Sequence, residues 1–262
     1  MIETTKYNGT CWWCGNKSGS GEHKFKRLDL KREFEEFFKV GDVVKTMGDF
    51  DLDSAQLVQG PNSDLVKFEK NIFCQNCNNS RSQQMDSAYD RFVEYVKKEE
   101  NTIFITHSID LIEIYGSSYE SDFKNLLRYY TKNICCRLAE LEISIAPEII
   151  AFLDKKVELP SVLGLQFEIR TDWVEFYKHL KNIGEDYGFI HASGVEGNRL
   201  RNQNSYYNLF GHLQYRWLKI SYDYNLTKDY RIINNINNGS LELLESYNCK
   251  PEEMKRKLIK AR

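Results

Sequence analysis

The sequence predicts an α+β protein, and three observations carry that expectation. Two Cys-x-x-Cys pairs, Cys11/Cys14 and Cys74/Cys77, bracket a unit near the N-terminus. Apolar residues recur at three- and four-residue intervals behind the second pair and again from Asp122, the signature of helices with one buried face. Beyond Pro160, stretches such as LGLQFEIR alternate apolar and polar side chains as strands do. At 262 residues, 41% hydrophobic and 13% aromatic, the chain has material for a real core. It divides into residues 1–98, the cysteine-bearing unit, and 99–262, an α+β domain of unassigned role that would serve substrate or partner recognition.

Taken in order, the first cysteine pair forms a knuckle and is followed by a charged segment. Leu30, Phe34, Phe37 and Phe38 then mark an amphipathic helix within 28–40. GDFDLDSAQLVQGPNSD is a surface excursion, and DLVKFEKNIF is strand-like. After the second knuckle, Ser80 and Gln83 have capping-box spacing ahead of Ala88, Tyr89, Phe92, Val93 and Val96, which share one helical face. Phe123, Leu126, Leu127, Tyr130, Ile134 and Leu138 define a long helix, and Pro147 suits the first position of a short one. LGLQFEIR is a strand, DWVEFYKHLKNIG a helix ending at Gly184, and HLQYRWLKISYDY a further alternating strand. HASGVEGNRLRNQNSYY, with Arg199 and Arg201, has the composition of a surface loop, and PEEMKRKLIKAR is a polar helical tail.

The formal net charge of −2 excludes nucleic-acid binding by bulk electrostatics, so any such contact must come from local basic groups. No apolar run is long enough to cross a bilayer and the N-terminus lacks a signal-peptide pattern, so the expected location is cytoplasmic. In that reducing setting, two Cys-x-x-Cys pairs point to a metal rather than to disulfides. Four thiolates from Cys11, Cys14, Cys74 and Cys77 suit a tetrahedral structural zinc; buried free thiols and a redox pair are the competing uses. Zinc held by four sulfurs has no open position, so chemistry needs a second centre. The candidates are Glu22 and His23, shortly after the first knuckle, and Asn78, directly after the second, because closing the zinc site draws both knuckles together. Asn78 at a helix start also suits an N-cap.

The order Cys-x-x-Cys, acid-His, Cys-x-x-Cys-Asn, helix, carried by SGEHKF and IFCQNCNNSRSQ, resembles the HNH endonucleases of the ββα-metal (His-Me finger) superfamily, in particular their zinc-stapled branch. The resemblance covers residues 8–96 and implies a ββα-metal nuclease module. It implies further that His23 is the general base and that Glu22 and Asn78 hold a catalytic Mg or Mn ion, with Asn79 or Gln83 as a further group on the helix. The implied activity is metal-dependent hydrolysis of DNA, with RNA as an alternative substrate, in a role such as anti-phage defence. A near-neutral imidazole and hard oxygen ligands suit that chemistry. Lys24, Lys26, Arg27 and Arg81 are the expected phosphate contacts, with Lys31 and Arg32 nearby, although a solvated helix face explains such a run equally well. The alternative is a catalytically decayed zinc module that binds nucleic acid or protein. Asp49, Asp51 and Asp53 lack the spacing of a calcium loop; Cys135 and Cys136 are expected as buried small hydrophobes, Cys249 as incidental, and His107, His179, His191 and His212 as structural.

Overall fold

The structure, a computed structural model, describes residues 1–34, 44–45, 56–186, 188–199, 205–227 and 236–247. Phe37, Phe38, Asp49, Asp51, Asp53, Arg201, Cys249 and the tail from Pro251 lie outside the described residues. Among the described residues the fold is a mixed α+β assembly in which helices pack on a seven-stranded main sheet.

The cysteine-bearing unit begins with β1 (Ile2–Glu3) and the first knuckle. An extended run after the knuckle pairs antiparallel with a second run ahead of Cys74, through bridges Ser20–Phe73 and His23–Lys67. The amides of Lys24 and Phe68 donate to the carbonyls of Val66 and Glu22 at 2.7 and 3.0 Å, so this short ladder fixes the backbone on both sides of His23. Helix α1 (Arg27–Phe34) follows, then the two-residue pair β2 (Val44–Lys45) and β3 (Gln56–Leu57) and a 3-10 turn at Asp64–Val66. The strand expected over DLVKFEKNIF is therefore reduced to its bridged positions.

Behind the second knuckle the chain coils at once into a π-helical turn, Asn76–Arg81, which runs on into α2 (Gln83–Lys98). This corrects the expected capping box at Ser80 and Gln83: there is no helix start there to cap, because the knuckle has already wound the chain. Ser82 at the junction makes no side-chain cap either; its hydroxyl donates to the Asn78 carbonyl at 2.7 Å and bonds the Asp86 carboxylate at 2.7 Å. Two helices not foreseen, α3 (Glu100–Thr106) and α4 (Leu111–Tyr115), flank the short strand β4 (Ser108–Asp110).

Helix α5 (Tyr119–Glu140) is the central beam of the molecule, buried on most of its surface from Phe123 to Leu138. Such all-round burial is expected of a helix enclosed by other elements. Cys135 and Cys136 are inside it, as expected. Helix α6 (Pro147–Leu153) starts at its proline, and β5 (Leu163–Arg170) and α7 (Thr171–Asn182) fall where the sequence patterns place them. Gly184 follows α7 at φ 74°, a conformation that favours glycine.

The segment expected as one strand over HLQYRWLKISYDY is a hairpin: β8 (Ser205–Tyr215) turns at Arg216-Trp217 and returns as β9 (Leu218–Tyr224). Nothing in Arg-Trp signals a tight turn; tertiary contacts hold it. Arg216 sits at φ 53° with its guanidinium on Glu33 Oε2 at 3.0 Å, Glu100 Oε1 at 3.3 Å and Asp186 Oδ1 at 2.7 Å, over the Tyr177 ring. Likewise, part of the expected loop HASGVEGNRLRNQNSYY is strand: β6 (Ile190–Ala192) and β7 (Glu196–Arg199) both pair with β8. The main sheet runs β1-β8-β9-β5, with β12 (Leu244–Ser246) parallel at its edge. A small second sheet joins β4 to β11 (Ser240–Glu242) and β10 (Ile236–Asn237). One hydrophobic cluster runs from Cys11 and Trp13 through α2 and α5 to the β5–β9 strands, so a continuous core crosses residue 98. No described helix is long and apolar enough to cross a membrane.

Candidate functional site

The two knuckles meet. The four Sγ atoms of Cys11, Cys14, Cys74 and Cys77 all lie within 4.8 Å of one another, with Cys14 and Cys74 Sγ 3.6 Å apart. A tetrahedral ZnS₄ centre with bonds of about 2.3 Å needs sulfurs about 3.8 Å apart, so this set can hold a metal such as zinc. Burial raises the Cys11 and Cys77 thiols. At Cys74 burial also pushes upward, but the Cys77 amide and the neighbouring cysteines outweigh it and bring the thiol to about 7. The Cys77 amide lies 3.4 Å from Cys74 Sγ, so backbone dipoles already favour thiolate there.

Arg81 belongs to this centre. Its Nη1 donates to Cys77 Sγ at 3.3 Å, its Nη2 pairs with Asp154, and its guanidinium lies 4.5 Å from the Trp13 ring. Trp13 Nε1 donates to the same Asp154 at 2.9 Å. The C-cap of α6 is thus tied to a cysteine ligand, an orienting contact of the kind that tunes metal sites.

Closing the cysteine cluster also brings Glu22 to Asn78. The Asn78 amide lies beside the Glu22 carboxylate, and its Nδ2 donates to Ser20 Oγ at 2.8 Å and to the Gly21 carbonyl at 3.2 Å. Asn78 is therefore no N-cap: it lies inside the π turn and reaches across to the first extended run. Two residues the sequence did not single out complete the cluster. Lys132 of α5 places Nζ 2.9 Å from Asp86 Oδ1 and 3.8 Å from Glu22 Oε1, with its side chain 3% exposed. Asp86 lies one helical turn beyond Ser82, which links it to the Asn78 carbonyl. Asn79 and Gln83 are both exposed, so the α2 side chain that faces Glu22 is Asp86.

Burial raises the Glu22 carboxyl above its ordinary value; Lys132 draws it back, Asp86 pushes it up, and the neighbouring Asn78 amide lowers it. Burial disfavours the Lys132 ammonium, yet Glu22 and Asp86 outweigh that and hold it charged.

His23 takes the other face. Consecutive residues of an extended ladder point to opposite sides, and the contacts follow that rule. The His23 ring lies beside the Pro61 carbonyl, and its Nε2 is buried with no hydrogen-bond partner. Burial, then the charges of Lys67 and Arg27, lower its pKa, against the Pro61 carbonyl that raises it. The imidazole is thus neutral at neutral pH. Asp86 could be sought in sequence only by stepping through helical turns from Asn78, and Lys132 has no local signal at all.

The other expected phosphate contacts are spent within the protein. Lys24 pairs with Glu140 at 3.5 Å and Lys26 with Asp90 at 2.8 Å. Arg32 bonds Asp29 and Asp90 at 3.1 and 3.2 Å. Arg27, at the start of α1, is exposed and close enough for its charge to reach His23. No protein-family model, curated protein or solved structure matches this chain. The functional reading therefore rests on the site itself.

Proposed function

We propose that the cysteine-bearing unit is a zinc-stapled endonuclease of the HNH type that hydrolyses DNA phosphodiester bonds with Mg or Mn. The observation that carries this reading is His23: an imidazole whose pKa is lowered by burial, beside the Pro61 carbonyl, with a buried and unpartnered Nε2. A buried nitrogen lone pair without a partner costs stability, and a proton acceptor for an attacking water is a role that would account for keeping it. Arg27 beside it would attract a phosphate, whereas Lys67 is paired with Asp64 at 3.0 Å.

Glu22 and Asn78 supply one carboxylate and one amide on the opposite face of the same strand, and Asp86 adds a second carboxylate. Hard oxygen donors of this kind suit Mg or Mn, which would stabilise the charge developing on the departing 3′ oxygen. In-line displacement needs the attacking water and the leaving group on opposite sides of phosphorus. Because the base and the oxygen-donor set leave opposite faces of one strand, this reading requires a phosphate seated at the strand's edge, within reach of both. His23 would take the proton from the water at Nε2, and Arg27 would help to hold the phosphate.

The test is nicking of supercoiled plasmid by the zinc-loaded protein with Mg or Mn, beside His23→Ala. Removing a general base costs roughly 10²- to 10⁴-fold in rate. Equal cleavage by both proteins would refute the assignment of the base, and single-stranded RNA run in parallel decides the substrate class.

A second reading is favoured by one observation. Lys24, Lys26 and Arg81 are all neutralised inside the protein, and Lys132 already meets the carboxylates of Glu22 and Asp86. A zinc-held scaffold that binds nucleic acid or a protein without hydrolysis has this character. It predicts no nicking by wild type under any divalent ion.

A further inference from the structure

We infer that Lys132 is a positioning residue of the Glu22–Asn78 site, a buried ammonium from outside the cysteine-bearing unit that sets how tightly the site takes a divalent cation. The inference rests on the reading of Glu22 and Asn78 as oxygen donors.

Three observations converge on it. The Lys132 side chain is 3% exposed, and both of its carboxylate partners, Asp86 at 2.9 Å and Glu22 at 3.8 Å, come from the cysteine-bearing unit. Among the described residues α5 itself offers it no carboxylate; its neighbours there are the Tyr129 ring, 5.3 Å away, and Cys136 one turn along. One turn further along α5, Arg137 Nη2 donates to the Lys24 carbonyl at 2.9 Å, so the helix also clamps the strand just past Glu22 and His23. Helix α5 is thus a wall of the site: Arg137 holds the backbone and Lys132 holds the side chains.

Burying two carboxylates together without a cation is costly, and the ammonium removes that cost. The same charge opposes a divalent ion entering beside it. At distances of a few ångströms in a partly buried pocket, such repulsion is strong. The ammonium therefore orients Glu22 and Asp86 while holding down the affinity of the site, so that the ion is taken up firmly only when a substrate phosphate adds its own negative charge.

The experiment titrates Mn²⁺ into full-length, zinc-loaded protein and reads free Mn²⁺ by electron paramagnetic resonance, without any nuclease assay. Thiolate-held zinc is not exchanged by Mn²⁺, which prefers oxygen. Lys132→Met keeps the length and loses the charge, and should tighten Mn²⁺ binding by about tenfold or more. Lys132→Arg keeps the charge and should stay within about threefold of wild type. Should Lys132→Met fail to fold, Asp86→Asn compared with Asp86→Asn/Lys132→Met removes the ammonium in a charge-balanced background, with the same tightening expected. Unchanged or weaker affinity on removing the ammonium would overturn the inference. A wild type whose Mn²⁺ affinity depends on Lys132 but which leaves plasmid intact keeps this inference and removes the nuclease. A wild type that nicks plasmid while Lys132→Met binds Mn²⁺ unchanged does the reverse, and absence of binding in every variant overturns this inference.

Discussion

Asp29 gives the most quantitative test of the packing around the site. Its carboxyl is 2% exposed on the inner face of α1, where Tyr89 OH donates to Oδ2 at 2.6 Å and Arg32 Nη1 to Oδ1 at 3.1 Å. Burial raises its pKa from 3.8 to about 6, against the Tyr89 bond and the charges of Arg32 and Lys26, which lower it. The sign follows from proton counting. Below the unfolded pKa both states are protonated; as pH rises the unfolded chain releases its proton first, so this group's stability is lost progressively until pH passes the folded value. The full excursion is about two pKa units, or ~3 kcal/mol, of which ~1.4 kcal/mol falls between about pH 5 and pH 8. Asp29→Asn abolishes the titration while keeping an acceptor for Tyr89. Urea unfolding of both proteins across that range, with zinc present, should show wild type losing ~1.4 kcal/mol relative to the variant as pH rises. A difference that stays flat with pH, or that runs the other way, would refute the account of Asp29 as a buried, upshifted carboxyl.

Further expectations follow from other parts of the molecule. Elemental analysis of purified protein should find about one zinc per chain, and Cys77→Ser should lose it together with several kcal/mol of stability, roughly the scale on which structural zinc sites couple to folding; metal-free protein of unchanged melting temperature would count against the centre. Arg216→Met leaves Glu33 and Glu100 with Lys97 at 3.1 Å and Lys181 at 2.7 Å but removes the buried guanidinium they share, and should cost about 2–3 kcal/mol in urea unfolding, against under ~1 kcal/mol if the network is ornamental. Because the His23 pKa is lowered, any cleavage should be flat through neutral pH and fall only as the imidazole protonates in acid; a plateau reached only above neutral pH would contradict a neutral base. With Lys24, Lys26, Lys67 and Arg81 engaged internally, DNA affinity should fall with salt at a log–log slope of only about −1, set by Arg27; a slope near −5, measured by fluorescence anisotropy, would mean the internal pairs open on binding.

Much of the scaffold was legible in local patterns. Apolar spacing located α2, α5 and α7, the proline marked the start of α6, and alternation located β5, because each of these signals is written within a few residues of the element it specifies. The short helices α3 and α4 escaped, being too brief to show a period. The Arg216-Trp217 turn escaped for a different reason: its left-handed arginine is stabilised by Glu33, Glu100 and Asp186, all distant in sequence, rather than by turn chemistry of its own. The capping box failed because the knuckle, a tertiary feature, starts the helix early.

The site divides along the same line. Sequence alone determined the four cysteines, the adjacency of Glu22 and His23, and the asparagine behind the second knuckle, since Cys-x-x-Cys spacing and neighbouring residues are local properties of the chain. Only the tertiary structure decided that His23 leaves the opposite face from Glu22, that Asp86 joins Asn78, and that a lysine from α5 supplies the balancing charge. The physical reason is that a buried carboxylate must find a cation wherever the packed chain can provide one, and long-range packing, not spacing, chooses which residue that is.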